Sequence, residues 1–243
     1  ADLARAEGAT PETTVYGQGF RTSATQAALA NGIAAHAADF DHSFVVGGQP
    51  TAPVVPAVMA LAEALQTSGQ QLLTAYVAGF EVTAALAFAL REGEGGWHSN
   101  GVLGAFGATA ACAKLLTLDA SQTAMALSMT ASMASGLSAN FGTMSKPLHV
   151  GLAARNGVHA AKLAQAGFTA NPQTLDAGNG FFQSFYRTQP DLAPFDELGQ
   201  VSLLEKYGVR LKPYPCGGLT HTAILATIEL RNEHALTAGM VQH

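Results

Sequence analysis

The sequence predicts a mainly α-helical protein, with a large helical domain over residues 1–207 and a second domain that begins over residues 208–243. Apolar residues recur with the helical period of about 3.6 through most of the first region. Helix start and stop signals occur at intervals along it, and no convincing strand pattern accompanies them. After residue 207 an extended run rich in proline and glycine replaces the helical period, which indicates the boundary.

The first helix is predicted to be capped by residues 22–25 and to run through His36. Residues 45–53 contain two glycines and two prolines, which predicts a loop. Pro56 then predicts the start of a helix that ends near Gln66, because proline is favoured at the first helical position.

Capping signals predict the helices that follow. Ser68 and Gln71 have the spacing of a capping box, and their helix is predicted to reach Leu90. Residues 91–98 are predicted to form a glycine-rich loop, and the small apolar residues of 102–116 predict a closely packed helix rather than a phosphate loop. The residues predicted to cap or open the remaining helices are Ser99 or Asn100, Asp119, Pro147 and Thr220.

The composition argues against several classes of protein. Hydrophobic residues make up 48% of the chain and charged residues only 12%, so we expect much of the surface to be buried against further chain or a partner subunit. The net charge of -5 argues against nucleic acid or an anionic membrane as partner. The sequence has no uninterrupted apolar run of about 18 residues, signal peptide or disulfide framework, which predicts a cytoplasmic protein without a membrane partner. The missing initiating methionine and the abrupt end predict a segment of a longer protein.

Four basic residues stand near predicted helix N-termini, namely His98, Lys146, Lys212 and His221. The exposed amide groups and the dipole at a helix start favour anions, so a lysine there indicates that an anion joins it. The dipole also disfavours protonated His98, and a neutral imidazole can act as a base at neutral pH. The pattern predicts a site for a small polycarboxylate, with a histidine placed to move a proton.

A metal site is the alternative interpretation of a second polar cluster, formed by His36, Asp39, Asp41 and His42. His36 and Asp39 would share one helix face at this spacing. The sequence has no second cluster with a recognised metal-ligand spacing, so no metal is predicted.

Seven short motifs occur in order along the chain. They are residues 27–32 with His36, residues 39–41, 53–57, 78–82, 95–98 and 144–151, and residues 212–216 with Thr220 and His221. Together these motifs resemble the MmgE/PrpD family, which includes 2-methylcitrate dehydratase, cis-aconitate decarboxylase and iminodisuccinate epimerase. The resemblance implies a cofactor-independent enzyme that acts on small di- or tricarboxylates.

The resemblance also implies a helical domain packed against a smaller α+β lid that begins near Lys212, with the active site between them, in a homodimer. The family's active-site positions carry over to Asp39, Ser43, His98, Lys146 and Lys212. Two positions depart from the family's decarboxylases, because Gln49 and Gly217 stand where those enzymes have histidines. Glutamine cannot move a proton at neutral pH, so these departures argue against decarboxylation.

The resulting hypothesis is an enzyme that moves a proton at the carbon α to a carboxylate. The predicted catalytic residues are His98 as acid/base, Lys146 and Lys212 as carboxylate or enolate stabilisers and Asp39 as an orienting group or second acid/base. The predicted substrate-binding residues are Ser43, Gln49 and His221. Dehydration by a 2-methylcitrate-dehydratase-like hydro-lyase is favoured, epimerisation of an iminodisuccinate-like acid is the alternative, and a non-catalytic carboxylate-binding protein is a second alternative.

Overall fold

A computed structural model describes residues 1–46, 48–90 and 95–240 of the protein. The α-helices among these residues are α1 (Asp2–Glu7), α2 (Ala24–His36), α3 (Thr51–Leu65), α4 (Gly69–Ala89), α5 (Ser99–Leu115), α6 (Ala120–Met133), α7 (Ser145–Gln165), α8 (Ala193–Asp196), α9 (Leu203–Tyr207) and α10 (His221–Glu233). Two short strands, β1 (Thr13–Val15) and β2 (Phe20–Thr22), form an antiparallel pair with Thr13 opposite Thr22. The predicted mainly α fold is confirmed.

Local capping explains where several helices begin. The Ser23 side chain accepts a hydrogen bond from the Gln26 amide at the start of α2. The predicted capping box at Ser68 is present at the start of α4, and Asp119 forms a second one at the start of α6. These interactions pair amide groups that the first helical turn leaves unsatisfied.

The centre of the molecule is α5, which packs against α3, α4, α6 and α7. Its small residues allow this close approach. A Cβ atom added at Gly107 would lie 1.9 Å from Oγ1 of Thr83 and 2.5 Å from the carbonyl oxygen of Gly79, both on α4. The prediction that residues 102–116 form a closely packed helix is therefore confirmed.

Three predicted helix starts are wrong, and one of them is that of α7, which begins at Ser145 rather than at Pro147. Helix α3 begins at Thr51 rather than at Pro56, so Pro53 and Pro56 both lie inside it. The predicted loop over residues 45–53 therefore ends before Thr51. Both prolines are buried, and we infer that this packing outweighs the backbone hydrogen bond that Pro56 cannot donate. At α5 the capping position belongs to His98, and neither Ser99 nor Asn100 occupies it.

The chain after α7 returns to the helical core through polar contacts. The buried carboxylate of Glu81 on α4 accepts hydrogen bonds from the Ser202 hydroxyl and from the Leu203 and Leu204 amides at the start of α9. Farther along, Ser43 and Arg210 form a single antiparallel backbone bridge. The boundary near residue 207 and the α+β character of the following domain stay predictions.

Thr220 occupies the capping position of α10, but its hydroxyl donates to the Gly217 carbonyl oxygen instead of accepting from a helix amide. Residues 91–94 of the predicted glycine-rich loop lie outside the described residues. Between α7 and α8 the residues Phe182–Tyr186 form a π-helical turn.

One described helix, α4, is long and apolar enough to cross a membrane by length and composition alone. It packs against α3, α5, α8 and α9, and its buried residues include Phe80 and Leu86. Such packing is typical of the core helix of a folded domain.

Candidate active site

Asp39 is the centre of the polar cluster at the end of α2. It follows the helix in a left-handed conformation with φ of 47°, which is uncommon outside glycine but tolerated by aspartate. Its carboxylate lies between two lysines, with Lys146 Nζ 2.5 Å from Oδ2 and Lys212 Nζ 2.7 Å from Oδ1. Three of the four predicted catalytic residues therefore form one charged cluster.

The two lysines reach Asp39 by different routes. Lys146 lies in the first turn of α7, where the sequence predicted that an anion would join it, and that anion is supplied by the protein itself. Lys212 is brought in by the backbone bridge between Ser43 and Arg210, two residues before it. Its ammonium group also donates to the carbonyl oxygen of Asp39 at 2.8 Å.

The charge of Asp39 depends on these lysines. Burial alone would raise the pKa of the Asp39 carboxyl group, but hydrogen bonds and charges from Lys146 and Lys212 outweigh it and hold that pKa below its ordinary value. Asp39 is therefore a carboxylate at neutral pH. Lys146 keeps N–H donors that its contact with Asp39 does not use, which suits an anionic ligand.

A cavity of about 740 Å³ opens beside this cluster. Its lining includes Asp39, Lys146, His36, Phe141 and Gly217. The side chain of Lys146 is 19% exposed, whereas that of Lys212 is only 2% exposed. Lys146 is therefore accessible to a ligand, while Lys212 is engaged in holding Asp39.

His98 lies behind the cavity wall in a buried group of histidines. Its ring stacks on that of His36 with centroids 5.7 Å apart, and its Nδ1 lies 3.2 Å from Nδ1 of His149. Phe141 covers it from the cavity side, with ring centroids 4.9 Å apart and the Lys146 ammonium 5.7 Å from the Phe141 centroid. His98 and Lys146 thus lie on the same side of the helical domain, as predicted.

The pKa of His98 is lowered to about 3, so its ring is neutral at pH 7. Burial is the largest cause, followed by the neighbouring charges of His36, His149 and Lys146. The sequence predicted a lowered pKa for His98, and the structure agrees in direction. The main cause, however, is burial of the ring and not the helix dipole. A ring that resists protonation this strongly is a weak proton acceptor unless charge develops beside it.

Gln49 belongs to the cluster through an amide network. Its backbone amide donates to Oδ1 of Asn100 at 2.7 Å, and the Asn100 side-chain amide donates to Oε1 of Gln49. The Gln49 side-chain amide also reaches Oδ1 of Asp39 at 3.5 Å. The network fixes Gln49 as a hydrogen-bonding group next to Asp39.

None of the three predicted substrate-binding residues, Ser43, Gln49 and His221, belongs to the lining of this cavity. Ser43 contributes its backbone to the bridge with Arg210. His221 donates from Nε2 to the Cys216 carbonyl oxygen at 3.3 Å and packs its ring against the edge of Tyr214. Gly217, which replaces a family histidine, lines the cavity instead, and a Cβ there would lie 3.8 Å from Oδ2 of Asp39.

The alternative metal site has a partial structural basis. Possible ligand atoms of His36, Asp39 and Asp41 lie within 4.8 Å of one another. Asp39 already pairs with two ammonium groups, however, and Asp41 is hydrogen-bonded to His36. A divalent cation would have to compete with both lysines, so the arrangement favours the lysine-bound carboxylate, and the lack of a metal stays a prediction.

Sequence reasoning missed three residues of this site. Phe141 had no signal because an isolated aromatic residue is usually part of a core. Asn100 was considered only as a helix cap, although its position two residues after His98 could have suggested a shared site. His149 had no signal because a histidine inside a helix is usually a packed or surface residue, and in the structure it is 6% exposed and contacts His98.

The chain is similar to proteins of one known family. Residues 1–193 match the MmgE/PrpD N-terminal domain. The chain is 36% identical over 233 residues to cis-aconitate decarboxylase of Mus musculus, covering 92% of this chain and 47% of that protein. It is 36% identical to cis-aconitate decarboxylase of Homo sapiens, and the match covers 90% of this chain and 47% of that protein. It is 30% identical to cis-aconitate decarboxylase of Aspergillus terreus, and the match covers 90% of this chain and 48% of that protein. The chain spans about half the length of these curated relatives.

Proposed function

The chain belongs to the MmgE/PrpD family, and we propose that it contributes the substrate cavity of a cofactor-independent lyase that acts on a small tricarboxylate. The observation that carries the proposal is the carboxylate of Asp39 held between Lys146 and Lys212 at the edge of a 740 Å³ cavity. The names of the related proteins support the tricarboxylate class.

The lysines have different roles in this proposal. Lys146 has three N–H donors, and its bond to Asp39 uses one of them, so the others can bind a substrate carboxylate in the cavity. Lys212 is nearly inaccessible and fixes Asp39. This makes Lys212 a positioning residue in place of the direct stabiliser that the sequence suggested.

The proposed chemistry begins with loss of a proton from the carbon α to a carboxylate. The electron pair of the broken C–H bond forms an enolate-like species, whose oxygens would be stabilised by the ammonium group of Lys146. A histidine of the buried group formed by His36, His98 and His149 receives the proton. Of these three, His98 is the residue that the sequence predicted for this role.

Dehydration is the outcome that we favour. In dehydration the β C–O bond breaks after proton loss, and the hydroxyl group leaves with a proton as water, which gives an unsaturated tricarboxylate. The amide network of Gln49 supports this choice, because Gln49 cannot move a proton to the carbon that loses carbon dioxide in a decarboxylation. Epimerisation would follow if the proton returned to the opposite face.

Decarboxylation of cis-aconitate is the second candidate, because it is the reaction named for the relatives that are 36% identical. A single screen separates the candidates. The full-length protein is incubated in D₂O with 2-methylcitrate, citrate, iminodisuccinate or cis-aconitate, and the products are followed by NMR.

An unsaturated tricarboxylate formed with loss of water supports dehydration. Deuterium uptake with inversion supports epimerisation, and release of carbon dioxide supports decarboxylation. Binding of these acids without exchange or product formation would contradict the lyase proposal and favour the non-catalytic alternative.

A further inference from the structure

Gly217 is a part of the cavity wall that carries no side chain, although the fold does not require a glycine there. Its backbone has φ of -58° and ψ of 129°, a conformation that most residues can adopt. A Cβ atom built on it would lie 3.8 Å from Oδ2 of Asp39, which is an ordinary van der Waals distance. Apart from its chain neighbours, that Cβ would meet no other atom of the described residues within 4 Å. Gly142, the other glycine of the lining, differs because its φ of 82° favours glycine.

The position of Gly217 relative to the charged cluster is fixed from both sides. Its carbonyl oxygen accepts two hydrogen bonds from Thr220, one from the backbone amide at 3.0 Å and one from the hydroxyl at 2.7 Å. On the cavity side it lies next to Oδ2 of Asp39, the same atom that Lys146 contacts. A ligand carboxylate on the free donors of Lys146 would therefore have Gly217 close by, and atoms one or two bonds from that carboxylate could lie over the glycine.

The surroundings favour an uncharged, apolar group in the open space over Gly217. Asp39 is a carboxylate at neutral pH, so Oδ2 would repel a second negative charge placed there. Oδ2 already accepts from Lys146, which leaves it little need for a further polar partner. Much of the remaining cavity wall is apolar, with the side chains of Ile33, Ala37, Phe141, Met144 and Pro147.

We propose that Gly217 is a specificity-determining residue, and that the space it leaves receives an alkyl branch on the carbon α to the carboxylate that Lys146 binds. The inference rests on the proposed function and narrows its substrate class to alkyl-branched tricarboxylates. Each further carbon of the branch should tighten binding by about fourfold, the factor that corresponds to removing one CH₂ group from water. A side chain at position 217 would occupy the same space and should reject branched acids selectively.

The test measures the binding of three acids to the full-length protein by calorimetry. The acids are tricarballylate, which has no hydroxyl group to lose, and its α-methyl and α-ethyl derivatives. In the unchanged protein we expect the affinity to rise by about fourfold with each added carbon. In Gly217→Val the α-ethyl derivative should bind about tenfold more weakly or worse than in the unchanged protein. Tricarballylate itself should bind Gly217→Val with little change, because Lys146 remains.

Two further variants accompany Gly217→Val. Gly217→Ala, whose added methyl group fits at 3.8 Å from Asp39, should show a smaller loss in the same direction and replaces Gly217→Val if that variant does not fold. Gly218→Val is the matched control. Gly218 is the next residue along the chain, lies outside the cavity lining, and would place a Cβ with nothing within 4 Å. Gly218→Val should therefore keep the preference of the unchanged protein for branched acids.

The outcomes separate the role of Gly217 from the lyase function. Equal affinities for the three acids in the unchanged protein, or an unaltered preference in folded Gly217→Val, would overturn the role of Gly217 while leaving the lyase function intact. A preference that Gly217→Val removes, in a protein that converts none of the tricarboxylates offered in D₂O, would support the role of Gly217 and overturn the lyase function.

Discussion

Lys212 donates hydrogen bonds to both the side chain and the backbone of Asp39, at 2.7 Å to Oδ1 and 2.8 Å to the carbonyl oxygen. The two residues are 173 positions apart in the chain. This contact joins the segment after α9 to the turn after α2, next to the backbone bridge between Ser43 and Arg210. It therefore contributes to the fold and to the substrate cavity at once.

Lys212→Met tests the stabilising role of this contact. The methionine keeps much of the buried apolar stem but removes the ammonium group, so the carbonyl oxygen of Asp39 loses its donor. We expect the free energy of unfolding to fall by about 1–3 kcal/mol, the range for hydrogen bonds to charged groups. Urea unfolding of the variant and the unchanged protein measures this difference in free energy. Lys114→Met, at an exposed position of α5, should change stability by at most about 0.5 kcal/mol. Equal effects of the two substitutions would contradict the prediction.

Gly107→Ala tests the helix packing at the centre of the fold. The added Cβ would lie 1.9 Å from Oγ1 of Thr83 and 2.5 Å from the carbonyl oxygen of Gly79, so α4 and α5 would have to separate. We expect a loss of about 1–3 kcal/mol or more in unfolding free energy. Gly69→Ala, where a Cβ would meet nothing within 4 Å, should be neutral or stabilising. A neutral Gly107→Ala would contradict the close contact.

Most of the helical fold could be predicted because its signals are local. Ser68 and Asp119 begin helices through contacts within one turn, and the spacing of the sequence shows those contacts directly. The start of α3 was missed because Pro56 favours a helix start locally, while burial of the helix in the core decides otherwise. Sequence patterns cannot show how much packing energy will oppose a local preference.

The site was predicted only in part, because most of its contacts join residues that are far apart in the sequence. The helix start at Lys146 indicated that an anion would join it. The sequence did not show that Asp39 would be that anion, because the two residues are 107 positions apart. The motif resemblance brought Asp39 and both lysines into one site. It did not reveal the pair of His36 and Asp41, because a histidine five residues before an aspartate has many uses other than a hydrogen bond.

Stability should fall with acidification because of His98. Its pKa is lowered to about 3 in the folded protein from an ordinary value of 6.5, so between these values the unfolded chain binds a proton that the folded protein does not. The unfolding free energy should therefore decrease as the pH drops through this window, by up to about 1.4 kcal/mol per pH unit from this group. Urea unfolding at a series of pH values measures the slope.

The same series on His98→Gln isolates the contribution of that residue. The glutamine does not titrate, so the slope should become shallower between the two pKa values. His149, whose pKa is also lowered by burial and by His36, leaves a residual slope of the same sign. An unchanged slope in His98→Gln would show that His98 protonates readily in the folded protein, contrary to the buried position found here.

Asp39→Asn separates ground-state binding from turnover. The substitution removes the negative charge that Lys146 and Lys212 share, so the cavity edge becomes more positive. A tricarboxylate should then bind more tightly, by about tenfold for a gain of about 1.4 kcal/mol. Turnover should nevertheless fall, because Lys146 loses the carboxylate that orients it toward the enolate. Calorimetry with tricarballylate and kinetics on the substrate measure the two effects. Weaker binding in Asp39→Asn would show that Asp39 assists ligand binding directly and would contradict its role as a competitor for Lys146.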